Sequence, residues 1–127
     1  MGRLTGLILL LLLSSVAHSA DYPRDVSVDW INASEYVDGS PIQDGELEAV
    51  RIEIYRQQDA VPVFVATVPV SGVGLAQSEL FAGAVQQPGT YLIYGYSIAG
   101  GIESDASDPV SRKYTGKPLP PVLLVVQ

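Results

Sequence analysis

Four carboxylates cluster in one loop of the sequence and could carry chemistry: Asp38, Asp44, Glu46 and Glu48. Their hard oxygen atoms suit Ca²⁺, and a pair of carboxylates performs the acid–base chemistry of glycosidases. Their spacing matches no EF-hand loop, and a chain of this size offers little cleft for a sugar ring. We therefore interpret them as a solvated acidic loop, with a Ca²⁺-dependent carbohydrate binder as an alternative.

Other catalytic groups are scarce. The chain has no Cys, and its one His, His18, lies in an N-terminal segment that we expect to be removed. The remaining chain then lacks imidazole and thiol, which excludes zinc sites built from them, Cys-His pairs and Ser-His-Asp triads. We therefore expect a protein that is not an enzyme and holds neither cofactor nor metal. Because no disulfide can form, the apolar core alone must stabilise the fold.

Residues 1–20 have the order typical of a secretory signal peptide. Arg3 precedes an apolar run, residues 7–13, and small residues follow. The run is too short to span a bilayer, although an uncleaved anchor remains an alternative. Small residues at the cleavage positions favour a cut after Ser19 over one after Ala20. We expect a secreted or periplasmic protein, with no membrane contact after cleavage.

The charge that remains after cleavage limits the partners. Loss of Arg3 leaves six Lys and Arg against 14 Asp and Glu, which gives −8. Such a charge disfavours nucleic acid and anionic membranes.

The body of the chain reads as short β-strands, and no amphipathic helix follows the signal peptide. Apolar residues alternate with polar ones, and Gly- and Pro-rich turns recur every 8–12 residues, as in an antiparallel β-sandwich. Pro62 and Pro69 lack backbone donors, so we place residues 61–70 at a sheet edge. We also predict short strands at 78–81, 91–98 and 109–115. We predict one domain at 21–116, with its core formed by Val28, Trp30, Ile52, Ile54, Tyr91 and Ile93.

Over residues 26–115 the sequence resembles a fibronectin type III domain, most closely the single-domain secreted variety of bacteria and phages. The matching stretches are VSVDW for strand B, DGSPI for the next loop, LEAVRIEIYR for strand C and PGTYLIYGYSIAGGIESDASDPVS for the F–G hairpin. The resemblance implies an immunoglobulin-like sandwich that acts by binding. It also implies that Trp30 is the core Trp of strand B and that Tyr91 is the corner Tyr before strand F.

The sequence departs from the family pattern at three places. Pro88 and Thr90 stand one residue too close to Tyr91. Gly95 replaces a usual core Val, which predicts either a β-bulge or the close approach of a neighbour. Only a short charged stretch precedes Val26, so we expect the family's opening strand to be missing or very short.

Period-two alternation also predicts a binding surface. It places Leu92, Tyr94, Tyr96 and Ile98 on the outer face of one strand, and Arg51, Glu53 and Tyr55 on that of its neighbour. We therefore name Tyr55, Tyr94, Tyr96 and Arg51 the tyrosine face, because Tyr and Arg are enriched in binding hot spots. Its ligand, protein or glycan, is left open. The alternative is that these tyrosines only stabilise an exposed sheet by cross-strand pairing.

Residues 117–127, which we call the tail, have the composition of the opening strand that the body lacks. Prolines lead into an apolar run, Val122, Leu123, Leu124, Val125 and Val126. Residues 116–121 span only about 19 Å in polyproline form, whereas a sandwich of this kind is roughly 30–35 Å long. The tail therefore cannot reach the point where the opening strand of its own domain would start. It could dock or move freely in cis, or it could enter a second molecule by strand donation and make the chain a structural subunit.

Overall fold

The structure, a computed structural model, describes residues 22–125. The expected signal peptide and Val126 lie outside the described residues. Within 22–125 the chain is all-β and contains no helix, so no helix there could span a membrane. Its strands in chain order are β1 (Arg24–Ile31), β2 (Leu47–Arg56), β3 (Phe64–Pro69), β4 (Ala76–Val85), β5 (Gly89–Ala99), β6 (Ile102–Glu103) and β7 (Val110–Tyr114).

The strands form two antiparallel sheets that pack as a β-sandwich, which confirms the fold class predicted from sequence. One sheet contains β1 and β4 alone. The other has the order β3-β2-β5-β6, and β7 pairs with the first half of β5. The proline-flanked strand β3 lies at the edge of its sheet, where the absence of a proline N–H group is tolerated.

The core lies between the two sheets, because alternate residues of each strand point inward. The Phe64 and Phe81 rings lie 5.4 Å apart and place β4 over β3. Of the predicted core residues, Ile52, Ile54, Tyr91 and Ile93 are buried. Val28 and Trp30 are only partly buried and pack against the core from the side.

Strand β4 is longer than the four residues predicted for it, because a β-bulge lets the strand continue past a glycine. Gly83 has a φ of +66°, and the register with β1 shifts between Arg24 and Val26. The Gly83 amide donates to the Asp25 carboxylate at 2.8 Å. Glycine adopts this conformation at little cost, so pairing resumes at Val85.

Two unusual positions of the sequence, the stretch before Tyr91 and Gly95, are explained by hydrogen bonds in the structure. Tyr91 is buried, and its hydroxyl donates to the Gln87 carbonyl at 2.6 Å although Pro88 and Thr90 stand close to it in sequence. Gly95 pairs with Ile52 in continuous register, without a bulge. Instead Ser107 approaches closely: the Gly95 amide donates to its hydroxyl at 2.9 Å, and the Ser107 amide donates to the Gly95 carbonyl at 2.8 Å.

The chain leaves the body at the pole where β1 begins. Tyr114, at the end of β7, pairs with Gly89, and the Tyr22 hydroxyl donates to the Thr115 carbonyl at 2.8 Å. From Gly116 to Val125 the described chain forms no strand. The four tail residues Val122 to Val125 are between 84 and 88 % exposed.

Candidate functional site

Strand β1 has one unpaired edge. Among residues 22–125, β1 pairs only with β4, and no strand precedes it. Because β4 lies over β3, the other edge of β1 faces the β7 side of the sandwich. In an antiparallel pair about half of a strand's N–H and C=O groups point to each side, so the free edge presents a row of unpaired backbone groups.

A cleft of about 160 Å³ opens between the two sheets beside this edge. We call it the edge cleft. It is comparable to the apolar cavity of about 150 Å³ that takes up benzene in an engineered protein, so an aliphatic side chain fits it. Its lining includes Val28, Trp30, Ile52, Ile93, Gly95 and Val110.

Small residues leave this space open. Gly95 faces the cleft without a side chain, and Ser97 and Ser107 line it nearby. A Cβ atom at Gly95 would lie 3.6 Å from Ile52 Cδ1, an ordinary contact distance, so the position is not closed by crowding. The absent side chain at Gly95, and the absence of a further strand beside β1 among residues 22–125, together create the cleft.

The Trp30 ring is held at the cleft by a polar chain behind it. Its Nε1 donates to Asn32 Oδ1 at 2.7 Å, and the buried Asn32 amide donates to the Gly72 carbonyl at 2.8 Å. These bonds fix the indole so that its apolar surface lines the cleft. A fixed wall lowers the entropy cost of binding.

The rim of the edge cleft is apolar and exposed. Ile31 and Val110 lie on opposite sides of the opening and are 76 and 63 % exposed. Asp29 and Asp108 also contribute to its lining, and the Asp29 carboxylate accepts a hydrogen bond from the Ser78 hydroxyl on β4 at 2.7 Å. The opening therefore combines apolar contact surface with negative charge.

The tyrosine face is a second candidate site, and the structure brings its four predicted residues together. Arg51 lies opposite Tyr96 in the register of β2 and β5, and Glu53 lies opposite Tyr94. The Arg51 guanidinium stacks over the Tyr96 ring at 4.3 Å. The Tyr55 and Tyr94 rings meet edge to face, 5.6 Å apart. Whether this surface binds a ligand stays a prediction.

Glu53 is the centre of a polar network that sequence reasoning missed. Glu53 is only 8 % exposed. Its carboxylate accepts hydrogen bonds from the Tyr55 and Tyr96 hydroxyls, each at 3.0 Å. It also pairs with Arg51, which forks onto Glu103 at 2.7 and 2.8 Å. The alternation already placed Glu53 between Arg51 and Tyr55. Nothing local indicated that Glu103 would arrive from β6.

This network shifts several pKa values. The pKa of Tyr55 is raised first by its hydrogen bond to Glu53 and then by burial. The pKa of Tyr96 is raised first by burial and then by its own hydrogen bond to Glu53. Hydrogen bonding from Arg51 lowers the pKa of Glu103. The tyrosines therefore stay protonated as donors. The polar atoms of the face are largely satisfied by one another, which makes it rigid.

Next to the network, the tyrosines line a shallow, open concavity of about 250 Å³. Leu92 contributes to its lining, and Arg56 and Asp59 provide charges of both signs. The arrangement can stack a flat or apolar group between tyrosine rings.

The acidic loop does not converge on a common point. Asp38 accepts bonds from the Ser40 amide and hydroxyl, which lower its pKa. Glu46 accepts from the Gln43 amide at 2.7 Å, and Glu48 from the Gly101 amide at 2.7 Å. Within residues 22–125 no three acidic side chains form a group that could hold a metal. Asp38, Glu46 and Glu48 therefore bind backbone amides of turns.

Comparisons of the chain with protein-family models, with curated proteins and with solved structures find no match.

Proposed function

We propose that the chain is a non-catalytic binding module of the fibronectin type III kind that binds an extended apolar segment by strand addition at the open edge of β1. The observation that carries the proposal is the edge cleft beside an unpaired strand. Backbone hydrogen bonds along β1 would provide affinity, and the cleft would select apolar side chains at alternate positions. The sequence resemblance supports the same reading, because the family's opening strand would fill this place.

The free-energy terms that can be assigned to this contact favour binding. Burying one Val or Leu side chain in the cleft stabilises the complex by about 1.5–3 kcal/mol. Further gains come from contact with Ile31 and Val110, which are exposed before binding. Each ladder hydrogen bond adds roughly 0.5–1.5 kcal/mol. These gains oppose an ordering cost of about 1–2 kcal/mol per residue, so we expect micromolar rather than picomolar affinity.

The test uses Trp30, the only tryptophan of the chain, as a reporter in the cleft. A body that ends at Lys117 is titrated with a peptide of residues 117–127. The core lies within residues 22–114 and Val122 to Val125 are exposed, so we expect the shortened body to fold. Circular dichroism and a cooperative thermal transition check this.

We expect a saturable blue shift of Trp30 emission, since the peptide removes water from the indole. Val110→Asp, at the cleft rim, should weaken the response at least tenfold. Val61→Asp is the matched control, because Val61 is similarly exposed but lies outside the cleft lining. Unchanged Trp30 emission and no binding at millimolar peptide would overturn the proposal.

The tyrosine face supports a second candidate function, recognition of a separate ligand. Its favouring observation is the rigid concavity lined by Tyr55, Tyr94 and Tyr96. Peptide and glycan arrays probed with the chain provide the test. Support requires a signal that Tyr94→Ala abolishes and that removal of residues 118–127 leaves intact. A signal unaffected by Tyr94→Ala would exclude this surface.

A further inference from the structure

We propose that the segment bound at the edge cleft is the tail of a second copy of this chain, and that the copies join head to tail as an open, polar chain. This inference rests on the proposed function. It adds the identity of the partner and the geometry of the assembly.

The tail has the properties that the cleft requires. Leu119 and the run Val122 to Val125 are all at least 84 % exposed, and they form no strand. Such an exposed apolar run marks an interaction site. The one charged side chain of the tail, Lys117, is positive, whereas Asp29 and Asp108 line the cleft. Hydropathy and charge are therefore complementary between two parts of the same sequence.

Direction excludes the tail of the same molecule as an antiparallel partner. The tail leaves the body beside Tyr22, at the pole where β1 starts. A tail that folded back there would run parallel to β1. To run antiparallel it must enter at the Ile31 end, about 26 Å away along the eight residues of β1. Residues 116–121 span only about 19 Å, so a second molecule must supply the antiparallel strand.

Charge favours the same direction. An antiparallel donor brings its Lys117 end toward Asp29, near the end of β1. A parallel one would bring Lys117 toward the start of β1, where the charges of Arg24 and Asp25 offset each other. Only the antiparallel arrangement brings Lys117 to an end of β1 with net negative charge, which adds selectivity between the two docking directions.

The contact is heterologous, because donor and acceptor are different surfaces and the donor enters at the pole opposite to the one from which the tail leaves. Such heterologous contacts form rings or filaments and are not self-complementary. Pro118, Pro120 and Pro121 make the connecting segment a stiff, extended spacer, which opposes the reversal that a reciprocal two-molecule exchange needs. Each added copy therefore leaves one free tail and one free cleft.

The experiment mixes two chain terminators. Removal of residues 118–127 gives a copy that accepts but cannot donate. Val110→Asp gives a copy that donates but cannot accept, and Gly95→Val, which fills the cleft floor, is a second variant of that kind. Analytical ultracentrifugation of each alone should give monomers. Their equimolar mixture should give one species, a 1:1 dimer. The unmodified chain and the Val61→Asp control should form a concentration-dependent series beyond the dimer.

The outcomes separate the two proposals. An unmodified chain that stops at a dimer refutes the open chain and indicates reciprocal exchange. An unmodified chain that stays monomeric, while the tail peptide binds the shortened body, refutes self-donation and leaves the proposed function standing. If the peptide does not bind either, both proposals are wrong. Terminator mixtures that stay monomeric while the unmodified chain associates would show that another surface drives assembly.

Discussion

Because side chains alternate between the two faces of a docked strand, two double variants of the tail should affect association differently. Val122→Asp with Leu124→Asp changes one face of the docked strand, and Leu123→Asp with Val125→Asp changes the other. All four side chains are between 84 and 88 % exposed in the unbound chain, so neither variant should change the free energy of unfolding by more than about 0.5 kcal/mol. In a bound strand, only alternate side chains face the cleft.

The magnitude follows from burial. Losing two buried aliphatic side chains removes about 3–6 kcal/mol of binding free energy. At 1.4 kcal/mol per tenfold change, the dissociation constant for association should rise by roughly a hundredfold to ten-thousandfold. The pair that faces water should change it by less than about fivefold, through surface electrostatics alone.

Sedimentation velocity over a range of protein concentrations measures both variants against the unmodified chain. One variant should be monomeric where the unmodified chain associates, and the other should associate almost normally. Equal weakening by both pairs would indicate non-specific apolar sticking and would refute the strand geometry. No effect of either pair would show that the tail is not the contact.

Three further predictions concern the body alone, in the chain that ends at Lys117. Gly95→Ala should raise the free energy of unfolding in urea by about 0.5–1 kcal/mol, because the methyl group fits beside Ile52 and restricts the unfolded chain; a loss would contradict the open floor. Tyr91→Phe should cost about 1–3 kcal/mol by removing the donor to the Gln87 carbonyl, and an unchanged urea midpoint would show that the bond adds nothing. Glu103→Gln should flatten the fall in stability on acidification. Arg51 lowers the pKa of Glu103 in the folded state, so the Glu103 carboxylate stabilises the fold above its unfolded pKa of 4.5, and this stabilisation is lost as pH falls through the folded pKa. Urea titrations from pH 7 to 3 that give the same pH dependence for Glu103→Gln and the unsubstituted body would contradict this prediction.

The sequence predicted those features that depend on local pattern. Period-two alternation predicted the strands and put Arg51 and Tyr96 on one face, because successive side chains of any strand point to opposite sides. The sequence pattern predicted β4 to be shorter than it is, because a glycine in a sequence can mark either the end of a strand or a bulge inside it. Only the register with β1 shows that Gly83 sits in a bulge and that pairing continues.

Features that depend on distant contacts were harder to predict. Gly95 indicated either a bulge or a close approach, and the choice depended on Ser107, twelve residues later in the chain. Glu103 joins the tyrosine face across 52 residues of sequence, so no local pattern connects it with Arg51. The edge cleft is likewise a property of two sheets and a missing neighbour. The short stretch before Val26 predicted an opening strand that is missing or very short, and among residues 22–125 no strand precedes β1. It could not predict the shape of the space beside β1.

Hydrogen exchange at β1 tests the central claim most directly. Amide exchange by mass spectrometry is compared at high concentration between the full chain and the chain that ends at Lys117. We expect slow exchange of the β1 amides that point away from β4 only in the full chain, and fast exchange of the same amides after dilution or tail removal. Equal exchange at β1 in both chains, at a concentration where the full chain is associated, would contradict strand addition at this edge.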